Sequence, residues 1–318
     1  MRIVILDARP FFAERAAWRG LDAFGEVELH QATSAEEVRG RSLGAEILIT
    51  NKAPIRTDLI QESTPLQFIS VTATGFDCVD IAAARGRGIP VSNVPVYGTR
   101  SVGQYVFALV LELCHHVTLH DQAVRALEWT NQPDFSIRKT PLIELAGKTM
   151  GIVGLGRIGE CTAELAGAFG MKVLAHDSSQ RHLASGISIE WCELDDLFER
   201  SDVISLHCPL TPQTAGLVNT ARLRKMKPTA FLINTARGPL IVDADLAQAL
   251  KEGTLAAAAV DVVSVEPIRP DNPLLKAPNC ILTPHIAWAT AEARGRLMES
   301  TIANVGAFLN GEPINVVN

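Results

Sequence analysis

The feature that most constrains this chain is a strand, a glycine-rich turn and a helix in immediate succession. The apolar run KTMGIVG at 148–154 leads into Gly154-Leu155-Gly156-Arg157-Ile158-Gly159, and an alanine-rich segment follows. A bare G-x-G-x-x-G says little, but between a strand and a helix it marks a turn that binds a dinucleotide. Gly154 permits the tight turn, Gly156 lets backbone approach a pyrophosphate, and Gly159 lets the helix lie close to the strand. Arg157 and Ile158 open the helix, whose first N–H groups have no intrahelical partner and suit phosphate. Asp177 ends the next apolar run, MKVLAHD at 171–177. About 20 residues past the fingerprint, its carboxylate can accept the adenosine ribose hydroxyls and would repel a 2′-phosphate. NAD is therefore the expected cofactor; Arg181 nearby is the one feature that points towards NADP.

Around this turn the chain repeats a rhythm of short Val- and Ile-rich runs with helical segments between them. RIVIL at 2–6, EVELH at 26–30, AEILIT at 45–50 and LQFISV at 66–71 form a first series. KTMGIVG, MKVLAHD, DVISLHC at 202–208, TAFLINT at 229–235, AAAAVDVV at 256–263 and CILTPH at 280–285 form a second, whose six strands fit a complete doubly wound sheet. The expected fold class is α/β, with two doubly wound parallel-sheet domains: a Rossmann NAD-binding domain and a flavodoxin-like substrate domain. A length of 318 residues favours two domains over one. The expected division is 1–98 plus 287–318 for the substrate domain and 99–286 for the NAD-binding domain. Ser101–Leu127, apolar at helical spacing through Val102, Tyr105, Val106, Leu109 and Leu113, predicts one long helix crossing between the domains. A second helix is predicted over Ala291–Leu309, with a short tail returning to the first domain. Glu128–Pro141 is polar and holds two prolines, so it predicts a loop or arm, of the kind that serves a dimer contact.

Bulk properties exclude several classes. The net charge is −6, with Lys and Arg spread singly, and offers no stripe for a phosphate backbone, so no nucleic acid partner is expected. The first residues lack the apolar core of a secretory signal, and Asp261 interrupts the run Leu255–Val265 well short of a membrane span. A soluble protein without a membrane partner is expected. Six scattered cysteines, with no C-x-x-C pair, fit a reducing cytoplasm and buried thiols. His115, His116 and His120 suggest a metal only weakly, since no carboxylate or Cys completes a ligand set; no metal is expected.

Three polar residues stand just past late strands, where a doubly wound sheet places its ligand crevice. Arg237 follows FLINTA, Glu266 follows VDVVSV, and His285 closes ILTPH. Reducing a 2-oxo acid requires a cation for the carboxylate, a proton donor for the carbonyl oxygen and a hydride donor. Arg237 offers a planar, always charged fork, and His285 changes charge near neutral pH. Glu266 would favour and orient the imidazolium. Each alone has a dull explanation as a surface charge, a turn residue or a capped core histidine. The combination reverses those odds.

These segments resemble the D-isomer specific 2-hydroxyacid dehydrogenases over essentially the whole chain. The matching motifs are GLGRIG at 154–159, HCPLTPQT at 207–214, INTARG at 233–238, VDV around Asp261, EP at 266–267 and TPHIAW at 283–288. The resemblance implies that Arg237 holds the substrate, His285 transfers the proton and Glu266 pairs with it. It also implies a nicotinamide contact at Asp261 and cofactor contacts at Cys208, Pro209, Thr235 and Ala236, with His207 either near the adenine or structural. The segment Thr72 to Asp77 occupies the place of the family's substrate loop, so Ala73, Thr74 and Gly75 are expected to cradle the carboxylate with N–H groups. Ala73 departs from the Gly that many members carry there. Trp288 is expected to wall off the substrate pocket or simply to pack, and Lys52 either reaches the carboxylate or snorkels at the surface, the second being favoured. Ala73-Thr74-Gly75 in this loop, Val102-Gly103-Gln104, PLIELAGKTMGIVG at 141–154 and Trp288 together look most like the glycerate dehydrogenase (hydroxypyruvate reductase) branch. The alternatives are a D-lactate, glyoxylate or bulkier 2-oxo acid reductase, or a non-catalytic NAD-sensing regulator of the same fold. Phosphoglycerate dehydrogenase is disfavoured by the lack of a further domain past residue 318. A homodimer is expected.

Overall fold

A computed structural model of the protein describes residues 1–11, 14–179 and 186–318. The chain divides into two compact units, Met1–Gly98 with Ala289–Asn318, and Thr99–Trp288.

In the first unit, β1 (Arg2–Ile5), β2 (Glu26–Leu29), β3 (Ile47–Thr50), β4 (Phe68–Val71) and β5 (Val91–Ser92) form a parallel sheet in the order β2-β1-β3-β4-β5. That is the flavodoxin-like order. The inner strands are covered on both faces, so they read as unbroken apolar runs rather than alternating ones. Successive side chains divide between two cores: Val4, Leu48 and Ile69 enter one, while Ile3, Ile5, Ile47, Ile49 and Phe68 enter the other with Met298 and Val305 of helix Ala291–Leu309. The helix expected over 291–309 spans those residues. The tail beyond it is laced to β5: Ser92 bridges Val316, the Asn318 carboxamide oxygen accepts Val91 N, and its nitrogen donates to Ile89 O, both at 2.8 Å. β5 was not foreseen, because two residues make no recognisable run.

In the second unit, β6 (Thr149–Val153), β7 (Lys172–His176), β8 (Glu190–Trp191), β9 (Val203–Leu206), β10 (Phe231–Asn234), β11 (Ala257–Val260) and β12 (Cys280–Leu282) form a parallel sheet. Its order is β12-β11-β10-β9-β6-β7-β8, seven strands where the sequence suggested six. The added strand is β8, an edge pair too short and too polar to stand out. β6 is flanked by β9 and β7, so the chain reverses its winding there, and such a switch point leaves a crevice at the strands' C-terminal ends.

The single long helix expected over Ser101–Leu127 is two helices, Thr99–His115 and Val117–Arg125, bent by 52°. His116 lies between them in the left-handed region, with φ 46° and ψ 48°. The apolar stripe explains the break. Val102, Val106, Leu109, Val110, Leu113 and Cys114 are buried, whereas Val117, Leu119 and Val124 are exposed, so core packing directs only the first segment. Among the described residues no single helix is long and apolar enough to cross a membrane; only this bent pair passes by length and composition together.

Candidate active site

Strand β6 delivers the chain to Gly154 with φ 92°, a conformation L side chains rarely adopt. A Cβ there would stand 2.5 Å from Cys208 N, and one at Gly159 would stand 2.2 Å from Gly154 O. These two glycines let the turn pack against the end of β9 and let the following helix close onto the strand. A Cβ at Gly156 would meet nothing within 4 Å, which leaves open space in front of the helix Arg157–Ala168. Among the described residues no backbone acceptor meets the N–H of Arg157 or Ile158. Asp177, just past β7, accepts Leu155 N at 2.6 Å and Ser179 N at 3.2 Å. Partial burial pushes its carboxyl up, but those N–H groups and the Ser178 hydroxyl outweigh it, holding the group below the ordinary carboxylate range. Arg181 lies outside the described residues.

Cys208 and Pro209 follow β9, and the Pro209 carbonyl accepts the Thr214 hydroxyl at 2.7 Å. Burial first, with Asp177 adding to it, raises the Cys208 thiol. His207 points its ring inward although part of the residue reaches the surface. Burial lowers its pKa to about 4, and Nε2 lies 2.9 Å from the Ser205 hydroxyl. Thr235, past β10, is a buried residue whose hydroxyl has no partner among the described residues. An orphaned hydroxyl, uncommitted N–H groups at a helix start, open space at Gly156 and a carboxylate beyond β7 together fit a dinucleotide.

The proton-transfer candidates sit on three neighbouring loops. After β10, Asn234 ties its own turn together, its nitrogen donating to Arg237 O at 2.9 Å and its oxygen accepting Ala236 N at 3.0 Å. Arg237 is half-buried, donates Nη1 to Ala236 O at 2.8 Å, and enters none of the ion pairs among the described residues. Gly238 beside it packs so tightly that a Cβ would stand 1.8 Å from Val263 O. This contact joins the Arg237 loop to the Glu266 loop.

His285 Nδ1 lies 2.7 Å from Glu266 Oε2, with the two side chains 31% and 37% exposed. His285 has φ 56°, and its turn is held from three sides. Its N–H donates to Asp261 O at 2.8 Å, and Trp288 Nε1 donates to its carbonyl at 2.9 Å. The buried Asp261 carboxylate accepts the Thr283 hydroxyl at 2.7 Å, Ile286 N at 2.9 Å and Ala287 N at 2.8 Å. With Nδ1 committed to Glu266, Nε2 is the nitrogen left for proton exchange.

In the first unit, the turn after β4 is braced from below. Ala73 O accepts Val94 N at 3.0 Å, the Thr74 hydroxyl donates to Val94 O at 3.0 Å, and Asn93 Nδ2 donates to Thr74 O at 2.8 Å. The N–H groups of Thr74 and Gly75 meet no backbone acceptor among the described residues. Asp7 accepts the N–H groups of Asn51, Lys52 and Ala53 at 2.5–2.9 Å, while the Lys52 side chain is exposed. His120 has both ring nitrogens occupied, by His116 O and Lys139 N. The role of Asn234 in tying its turn was not singled out in the sequence; a polar residue bonding backbone in its own loop leaves no periodic signal.

A parallel sheet with a glycine turn and acid at its switch point defines a Rossmann-type dinucleotide-dependent oxidoreductase domain. Residues 107–287 match the family described as D-isomer specific 2-hydroxyacid dehydrogenase, NAD binding domain. A hydroxypyruvate reductase of Blautia hydrogenotrophica is 48% identical over 100% of both chains. A glycerate dehydrogenase of Methylorubrum extorquens is 41% identical over 99% of this chain and 98% of its own. A D-lactate dehydrogenase of Aquifex aeolicus, solved with NAD and lactic acid, superposes with TM-score 0.84 at 28% identity, covering 98% of this chain and 96% of that one. The chain belongs to the D-isomer specific 2-hydroxyacid dehydrogenases. It is an NAD-dependent enzyme that interconverts 2-hydroxy acids and 2-oxo acids.

Proposed function

We propose that the substrate pair is D-glycerate and hydroxypyruvate, acted on by Arg237, His285 and Glu266. The observation that carries the catalytic assignment is the 2.7 Å contact between His285 Nδ1 and Glu266 Oε2. The substrate assignment draws its support from the two full-length relatives named hydroxypyruvate reductase and glycerate dehydrogenase.

Bound NADH supplies the hydride that reduces C2 of the oxo acid. Arg237 pairs with the substrate carboxylate and offsets negative charge growing on the carbonyl oxygen. Protonated His285 delivers its Nε2 proton to that oxygen, and Glu266 stabilises the imidazolium through Nδ1. In the oxidative direction neutral His285 takes the hydroxyl proton. The turn Ala73-Thr74-Gly75 is assigned to the carboxylate for its uncommitted N–H groups, and Trp288 to the substrate pocket beside the His285 turn. Gly154, Gly156, Arg157, Ile158 and Gly159 are assigned to the pyrophosphate and Asp177 to the ribose. Cys208, Pro209, Thr235, Ala236 and Asp261 are assigned to the remaining cofactor contacts. The unit Thr99–Trp288 is then the cofactor domain and the other the substrate domain.

A cytoplasmic location is proposed, supported by six cysteines that are all unpaired. A homodimer is proposed because Val117, Leu127, Trp129, Phe135 and Leu142, all exposed, crowd one stretch of the second unit. Sedimentation of the purified protein tests it, a monomer at micromolar concentration refuting the assignment. For the substrate, the test is oxidation of NADH and NADPH against hydroxypyruvate, glyoxylate and pyruvate. A higher kcat/KM for glyoxylate or pyruvate than for hydroxypyruvate would overturn the substrate assignment.

A further inference from the structure

Asp243 opens the helix Asp243–Glu252 and is 8% exposed. An acid at a helix start is commonplace and is favoured there by the dipole. The same first turn, however, already carries Asp245, and the contacts of Asp243 lead elsewhere. A single oxygen, Oδ2, accepts three hydrogen bonds from one distant loop: Ser264 N at 3.3 Å, the Ser264 hydroxyl at 2.6 Å and Asn272 Nδ2 at 2.7 Å. No ion pair among the described residues includes Asp243. A carboxylate taken out of water without a cation is costly, so these donors are what keeps it in place.

The donors flank Glu266, two residues before it and six after. Between them Glu266 lies on an exposed stretch from Ser264 to Pro267, with its Oε1 accepting Val263 N at 3.4 Å. On its other side the loop leans on Gly238, whose hydrogen faces the Val263 carbonyl where no side chain would fit. A carboxylate that must meet His285 Nδ1 at 2.7 Å needs a backbone held to about half an ångström.

We infer that Asp243 is a positioning residue for the proton-transfer pair: it grips both ends of the Glu266 loop and sets where the Glu266 carboxylate stands relative to His285. The inference rests on the proposed roles of Glu266 and His285. It predicts that loss of Asp243 acts on turnover chiefly through Glu266.

The test is a double-mutant cycle on the full chain with Asp243→Ala, Glu266→Gln and their combination, reading kcat, KM for NADH and active-site concentration by NADH fluorescence. Asp243→Ala is expected to lower kcat about 10-fold in the native background, as misplacement of a catalytic group does. The same change should cost less than about twofold once Glu266 is Gln, because coupled residues are non-additive. KM for NADH should change by less than about twofold. An equal loss in both backgrounds, or a loss explained wholly by fewer active sites, would overturn the inference. If Asp243→Ala does not fold, Asn272→Ala and Ser264→Ala each remove one donor and leave the helix start intact. They must then show the same background-dependent loss in kcat, and unchanged kcat in both would equally overturn it. Near-native activity of Glu266→Gln alone would instead refute the catalytic pair, so the two failures are told apart.

Discussion

Asp177 reaches back to the middle of the glycine turn, accepting the N–H of Leu155 at 2.6 Å. The acid beyond one strand and the glycine turn beyond another are therefore tied together, and a change in the acid disturbs both. Asp177→Ala is expected to weaken NAD by at least about 10-fold, the loss of hydrogen bonds to a charged acceptor being worth about 1.5–3 kcal/mol. NADP should lose less, since the same change removes a repulsion from its 2′-phosphate. Titration of both cofactors by fluorescence checks this, and equal losses would count against the ribose assignment.

His285→Ala is expected to lower kcat by at least about 10²-fold, the lower end of what a positioned general acid contributes. Stopped-flow reduction of hydroxypyruvate reads it. Near-native turnover would remove His285 from the mechanism.

Thr235 offers a test with two opposite signs. Its hydroxyl is buried without a partner among the described residues, so Thr235→Val should leave the cofactor-free protein as stable or up to about 1 kcal/mol more stable. If the hydroxyl serves the cofactor, the same variant should bind NADH about 5- to 10-fold more weakly, one ordinary hydrogen bond. Thermal melts with and without NADH separate the two effects. A variant that melts lower without cofactor would show that the hydroxyl has a structural partner.

Gly238→Ala would place a Cβ 1.8 Å from the Val263 carbonyl, so one of the two loops must move. The expected cost is about 1–3 kcal/mol in stability, with a fall in kcat/KM for the oxo acid as Arg237 shifts. Unaltered kinetics would mean that the loop contact does not set the position of Arg237.

The pH dependence of stability should carry the mark of His207. Burial holds this group at about 4 in the folded protein, against about 6.5 when unfolded. Between those values the unfolded chain binds the extra proton, so the folded state loses stability as pH falls through that window, by on the order of 3 kcal/mol if the shift is complete. His207→Asn should flatten that acid limb in melts from pH 7 to 4. An unchanged limb would show that the ring is protonated in the folded state.

Most of the fold was legible because buried parallel strands write themselves as apolar runs. Ile47 to Thr50 and Phe231 to Asn234 are buried throughout, and no turn residue interrupts them. β5 and β8 were not legible, since two residues at a sheet edge, one of them Glu190, follow no pattern stronger than that of a loop. The break at His116 was missed because no Gly or Pro announces it; it falls where burial of the helix ceases. In the site, Gly154 and Gly159 are dictated by steric contacts with neighbouring backbone, and their spacing shows in the sequence. Asp243 meets Ser264 and Asn272 across 21 and 29 residues, a relationship that only the folded chain displays.

The lacing of Val316 and Asn318 onto the edge of the first sheet bears on how the protein is made. The five strands of that sheet leave the ribosome ahead of the second unit, yet Met298, Val305 and Asn318, which complete its packing, emerge more than two hundred residues after β5. By then the intervening unit is fully synthesised and has its own cores, so it is free to fold first. The unit whose strands precede the other's is thus the last to close, and until then its sheet lacks the cover of Met298 and Val305.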